Sequence, residues 1–153
     1  MRTPDRVTMA PPPTPPTSTF VRPAIGLLAG IGVALLVIAI GTVVAGLFTL
    51  RGADALTKAF PASYVWGKLV AAAVGAFAGG FTTSRITTGR SMYTVAVLAL
   101  VLFAAAGGPA LRGASAFPND PSWFPLTLAI VELIGVVTGG LVERALDRAG
   151  ATP

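Results

Sequence analysis

The sequence contains no cysteine and no histidine, and charged residues make up only 11% of its 153 residues. The absence of cysteine excludes disulfides. Without either residue, zinc sites, haem ligation by histidine and Cys- or Ser/His-based nucleophiles are excluded or implausible. About a quarter of the residues in a soluble globular domain are charged, so this composition is not that of a soluble domain. We therefore expect no metal site, no cofactor and no enzymatic activity.

Long apolar runs account for most of what remains, since 54% of the residues are hydrophobic. A helix rises about 1.5 Å per residue and the hydrocarbon core of a bilayer is about 30 Å thick, so each run is long enough to cross it. The short connections, of about 13, 6 and 11 residues, favour antiparallel neighbours. The sequence predicts an all-α fold, a four-helix transmembrane bundle within one membrane domain, residues 24–143. Its helices are 24–50, 64–84, 91–111 and 123–143.

Polar tails flank this domain. Residues 1–23 hold seven of the thirteen prolines and few apolar residues, a composition that predicts a disordered, proline-rich tail. The apolar run that follows is longer than that of a signal peptide, which favours an uncleaved first helix. Residues 144–153 form a second short tail.

The distribution of positive charge predicts the orientation of the helices. Seven arginines fall on the side of both termini, whereas three basic residues, Arg51, Lys58 and Arg112, fall on the other side. Both termini are therefore expected in the cytoplasm, with the protein in the cytoplasmic (inner) membrane. This pattern explains the net charge of +5 better than nucleic-acid binding does.

The predicted outer interface carries a group of anchoring residues, because aromatic and basic side chains favour the headgroup level. The two arginines of this group begin equivalent loops, so a paired site for an anion or a lipid headgroup is the alternative interpretation. The group consists of Arg51, Tyr64, Trp66, Arg112 and Trp123.

Two halves of the chain share an ordered set of short matches. L-R-G-A occurs at residues 50–53 and 111–114, A-F-P recurs, and a tryptophan follows each A-F-P proline by five residues. A G-x-x-x-G-G pattern then ends each match. We interpret these as two tandem related hairpins in the same orientation, with chance recurrence of boundary residues as the alternative.

The repeated glycines are candidate helix-packing positions, because small residues four apart let membrane helices approach closely. Packing within the bundle is one interpretation, and a dimerisation surface is the other. The six residues are Gly75, Gly79, Gly80, Gly135, Gly139 and Gly140.

Two charged residues lie within the predicted helices, on the same faces as these glycines. Glu132 precedes Gly135 by three residues, and Lys68 precedes Gly75 by seven. A charge inside a membrane is costly and is usually paired or functional. We predict an intramembrane charge pair of Lys68 and Glu132.

Two alternatives remain open for Glu132. An unpaired acid that takes up and releases protons is typical of proton-coupled transport. A protonated acid that hydrogen-bonds Thr127 or Thr138, or reaches the interface, has no such role.

The glycine pair of GGFTTSRI is followed by a short basic turn, and Trp-Phe comes before a helix that contains T-G-G-L. In these features the chain resembles small four-helix membrane proteins of bacteria that have no assigned activity. The resemblance covers about residues 24–143 and implies multi-pass membrane residence without chemistry. Small multidrug exporters are similar in having four helices and one membrane Glu, but their acid lies in the first helix.

These observations favour a non-catalytic multi-pass integral membrane protein that acts through helix packing. Its expected partners are membrane lipids and either further copies of itself or a larger membrane complex, with no nucleic acid. The alternative is a small ion- or proton-coupled transporter or channel that uses Glu132.

Overall fold

The structure, a computed structural model, describes residues 18–50, 60–87, 91–111 and 120–150. Within these ranges the chain forms α-helices and no β-strand, which confirms the all-α prediction. The helices are α1 (Ser18–Thr49), α2 (Ala62–Ile86), α3 (Ser91–Leu111) and α4 (Phe124–Gly150).

Three of these helices, α1, α2 and α4, are long and apolar enough to cross a membrane. The apolar part of α3, Met92–Gly108, is shorter. Side chains that would be buried in a soluble protein stay exposed along α1, and in a bilayer they would face lipid. They include Leu28, Leu35, Leu36, Ile40, Val43 and Leu47. The surface is therefore that of a membrane protein.

The helix bounds differ most from prediction at α1 and α4. α1 begins at Ser18 and includes Pro23 in its second turn, where the missing backbone N–H removes one hydrogen bond of the helix. α4 continues to Gly150, seven residues past the predicted end at 143. The segment ERALDRAG contains good helix formers and places Arg148 in the last turn, where a positive charge interacts favourably with the helix dipole.

The close approaches at glycines show how the helices run. Gly67, Gly75 and Gly79 of α2 lie against successively earlier residues of α1, so these two helices are antiparallel. α3 and α4 are antiparallel for the same reason, because Gly107 lies against Ala129 and Val95 lies against Gly140. α2 and α4 run parallel.

α2 is the central helix, and it packs along α1 on one side and α4 on the other. α3 packs mainly on α4 and touches α1 and α2 more sparsely. We name the end of the bundle where α2 and α4 begin the Lys68 end, and the opposite end the Ser84 end. A core cluster that includes Ala76, Leu98 and Val136 fills the bundle centre, and a smaller one, Val65, Leu69 and Phe124, lies towards the Lys68 end.

Candidate functional site

The contact between α1 and α2 is built on small residues. A Cβ placed on Gly79 would lie 2.7 Å from the carbonyl oxygen of Gly30 and 2.9 Å from the Cβ of Ala34. A Cβ on Gly75 would lie 2.8 Å from the carbonyl oxygen of Ala34. All three distances are shorter than a van der Waals contact, so the two backbones approach as closely as they do only because these positions carry no side chain.

The contact between α2 and α4 uses Gly80 of α2 and Gly135 and Gly139 of α4. A Cβ on Gly80 or Gly139 would meet the backbone of the opposite helix, at Val136 and Phe77 respectively. Gly135 lies against Ala76 in the same way, at 2.8 Å from its Cβ. Within the described bundle, packing is therefore what the structure assigns to these glycines.

The two copies of G-x-x-x-G-G do not face equivalent neighbours. In α2, Gly75 and Gly79 face α1 and Gly80 faces α4, whereas in α4 the first two glycines face α2 and Gly140 faces α3. A shared pattern therefore specifies close packing but not the partner helix, and the tandem-hairpin interpretation stays a prediction.

Lys68 forms its ion pair with Asp120, which sequence analysis did not consider as its partner. Lys68 Nζ lies 2.5 Å from Asp120 Oδ2, with the lysine side chain 14% and the aspartate side chain 1% exposed. This pair takes the place of the predicted pair between Lys68 and Glu132. The physical reason is direction, because helical side chains lean towards the helix N-terminus, and for α2 that is the end where Asp120 precedes α4.

Aromatic rings surround the ammonium group of Lys68. It lies 4.5 Å from the ring centroid of Phe124, 5.5 Å from that of Tyr64 and 5.6 Å from that of Phe60. All three distances are within the range of cation–π attraction. The predicted anchor Tyr64 therefore contributes to a charge site and is only partly exposed.

The other predicted interface anchors have different outcomes. Trp66 and Trp123 are exposed at the Lys68 end, and their ring centroids lie 6.2 Å apart. Arg51 and Arg112 lie outside the described residues. The two tryptophans of the predicted interface belt therefore lie close together on one surface.

Glu132 is buried within the bundle and is 6% exposed. It shares the buried face of α4 with Ala129, Gly135 and Val136. No hydrogen bond or ion pair joins it to another described residue. The two threonines considered as its partners instead bond to carbonyl oxygens of their own helix, Thr127 to Trp123 and Thr138 to Ile134 and Gly135.

Polar side chains join three helices at the Ser84 end, and sequence analysis missed this role. Thr83 Oγ1 donates to the carbonyl oxygen of Gly26 in α1 at 3.1 Å. Ser84 Oγ lies 2.8 Å from Glu143 Oε2 of α4, and Ser84 is buried. The carboxylate of Glu143 therefore accepts a hydrogen bond from α2.

An open apolar groove of about 400 Å³ runs between α2 and α4. Ala73 and Gly135 are among the small residues that line it, and Val74, Phe77 and Ile134 are among the large ones. The side chains of Val74, Phe77 and Ile134 are exposed, so the groove opens on the surface of the bundle.

The described ranges hold no group of three or more Asp and Glu residues that could bind a metal ion. The chain matches no protein-family model, no curated protein and no solved structure.

Proposed function

We propose that this protein is a multi-pass integral membrane protein that acts without catalysis, by association of its helices with a second copy within the bilayer. In this proposal all four helices cross the cytoplasmic membrane and both termini are cytoplasmic. The groove between α2 and α4 is the observation that supports the association.

The shape of the groove favours a helical partner. Small residues, Ala73 and Gly135, lie in it beside the exposed side chains of Val74 and Ile134. In lipid, helices associate through close packing and not through burial of apolar surface from water, so a groove lined by both small and large residues offers what such packing needs.

The same surface supplies both halves of a twofold contact. A self-complementary patch contains both the projections and the recess that receives them. In the proposed dimer, Ile134 and Val74 of one copy fill the groove of the other. Both side chains are more than half exposed in the single copy.

Single-cysteine cross-linking tests this contact cleanly, because the chain has no native cysteine. Ile134→Cys in native-like membranes should give a disulfide-linked dimer on mild oxidation. Leu36→Cys, which places the thiol on the exposed surface of α1, is the matched control and should give little. Ala73→Trp, which fills the groove, should abolish the Ile134→Cys dimer.

The outcomes separate the possible occupants. Equal cross-linking at both positions, or none at either, contradicts the dimer. A cross-link from Ile134→Cys to a different protein at fixed stoichiometry assigns the same surface to an accessory-subunit contact and rejects the second copy.

A transporter or channel is the second candidate, and the burial of Glu132 favours it. A carboxyl group with no described partner inside a membrane bundle is a candidate for proton or cation binding. Purified protein in liposomes should then pass protons or monovalent cations, and Glu132→Gln should stop the flux while the fold is retained. Flux no greater than in empty liposomes would remove this candidate.

A further inference from the structure

We propose that Asp120 and the rings of Phe60, Tyr64 and Phe124 form a binding site for an alkylammonium group, which the side chain of Lys68 occupies in this structure. The ligand would come from a phospholipid headgroup or from a soluble amine. This inference is independent of the association of helices proposed above.

The site has the chemistry that recognises organic cations. A carboxylate supplies the opposite charge, and three ring faces supply the electrostatic attraction that aromatic cages use for ammonium groups. Lys68 Nζ lies within 5.6 Å of all three ring centroids while it pairs with Asp120. The structure therefore shows an ammonium group already bound there, carried by the chain itself.

Asp120 retains an unused acceptor. The Asp120 side chain is only 1% exposed, and its Oδ1 atom has no hydrogen-bond partner among the described residues. A buried polar atom without a partner is costly, so this carboxylate oxygen favours a ligand that brings positive charge or an N–H group to it. An ammonium ligand that is not tethered to the chain could approach both carboxylate oxygens of Asp120.

The position of the site makes exchange feasible. Lys68 is six residues into α2, or about 9 Å from its start, and its side chain remains 14% exposed. Its flexible stem can extend to the membrane surface, as lysines near helix ends do. The exposed rings of Trp66 and Trp123 lie at the same end of the bundle, at the level expected for lipid headgroups.

Chemical labelling of the wild-type protein tests the exchange. An amine-reactive reagent is applied in tetramethylammonium chloride or in sodium chloride of equal ionic strength, and labelling of each lysine is measured by mass spectrometry. Lys58, the only other lysine, is the internal reference. Tetramethylammonium should raise labelling of Lys68 by about threefold or more, because it competes for the cage. No rise relative to Lys58 would overturn the proposal.

Chemical rescue supplies a second measurement. Lys68→Ala removes the bound ammonium, and n-propylammonium replaces the atoms that were lost. Both tryptophans of the chain lie at this end, so their fluorescence reports on the site. The variant should respond at about tenfold lower amine concentration than wild type, because no tethered competitor remains. Adding Asp120→Asn should abolish the response, and an undiminished response would overturn the proposal. If Lys68→Ala does not fold, the labelling experiment decides alone.

Lipid composition distinguishes the two sources. Higher labelling of Lys68 in bilayers of phosphatidylethanolamine than of phosphatidylglycerol assigns the ligand to a lipid headgroup. Equal labelling in both lipids, with the tetramethylammonium effect retained, assigns it to a soluble amine. Equal labelling without that effect rejects the site.

Discussion

The substitution Gly80→Ala should separate α2 from α4, because the added methyl group has no space. A Cβ at this position would lie 2.8 Å from the Cα of Val136 and still closer to its carbonyl oxygen. Real Cβ atoms do not approach backbone atoms so closely, and a backbone cannot rotate out of the way as a side chain can. One of the helices must therefore move.

The magnitude follows from two opposed effects. Overpacking a close contact costs about 1–3 kcal/mol, and the collision with backbone favours the upper part of that range. Replacing a helical glycine by alanine returns about 1 kcal/mol through helix propensity. We expect the free energy of unfolding to fall by about 2 kcal/mol.

Two other glycines provide matched controls in the same protein. Gly32 has no atom within 4 Å of its added Cβ, so Gly32→Ala should gain up to about 1 kcal/mol. Gly140→Ala should fall between them, because its Cβ would meet the Val95 side chain, at 2.9 Å, and a side chain can move in part. The predicted order of stability is Gly32→Ala, then Gly140→Ala, then Gly80→Ala.

Reversible unfolding in mixed micelles of rising SDS content, followed by far-ultraviolet circular dichroism, measures these differences. Equal stability of Gly80→Ala and Gly32→Ala would refute the close packing of α2 on α4. A loss confined to Gly140→Ala would assign the critical contact to α3 instead.

The same unfolding assay checks the remaining predictions. Thr83→Val should lower the free energy of unfolding by about 1 kcal/mol, because the hydrogen bond to Gly26 is lost. Thr82→Val should lower it less, since the Thr82 hydroxyl bonds to Ala78 of its own helix. Equal losses would contradict the interhelical role of Thr83. Ser84→Ala should lower the free energy of unfolding by about 1.5–3 kcal/mol, and by much less when Glu143→Gln is already present. Fully additive effects of the two substitutions would exclude an energetic coupling between Ser84 and Glu143. Asp120→Ala should lose more stability than the double variant Asp120→Ala/Lys68→Met, because only the single variant leaves the Lys68 charge without its ion pair. A double variant that is as unstable as the single variant would count against a buried pair. Glu132→Leu should be neutral or gain about 1–3 kcal/mol, since no described partner is lost, and a loss would reveal an interaction that supports the carboxylate.

Hydrophobic length was sufficient to predict the helices but not every end. The bounds of α3, Ser91–Leu111, agree with prediction because a basic polar turn precedes it and Arg112 follows its apolar run. The end of α4 was missed because hydropathy registers where lipid ends, whereas a helix continues into water when its residues favour helix, as ERALDRAG does.

The partner of Lys68 could not be predicted from helical faces alone. The periodicity of α2 and α4 places Lys68 and Glu132 on glycine faces, but the three-dimensional neighbour of each face is a property of the assembled bundle. Asp120 lies before α4 and outside the helical pattern that sequence analysis used. The lean of side chains towards the helix N-terminus was the one signal that pointed to an acid at that end.

The central position of α2 has a consequence for how the protein reaches the membrane. Of the three candidate spans, α2 has the lowest mean hydropathy and the largest share of buried residues. Such a segment partitions poorly into lipid by itself, but α1 is made before α2, is strongly apolar, and carries the recess that receives it. During biosynthesis α1 would thus assist the insertion of α2 by packing against it, and the translocon would release the two helices together.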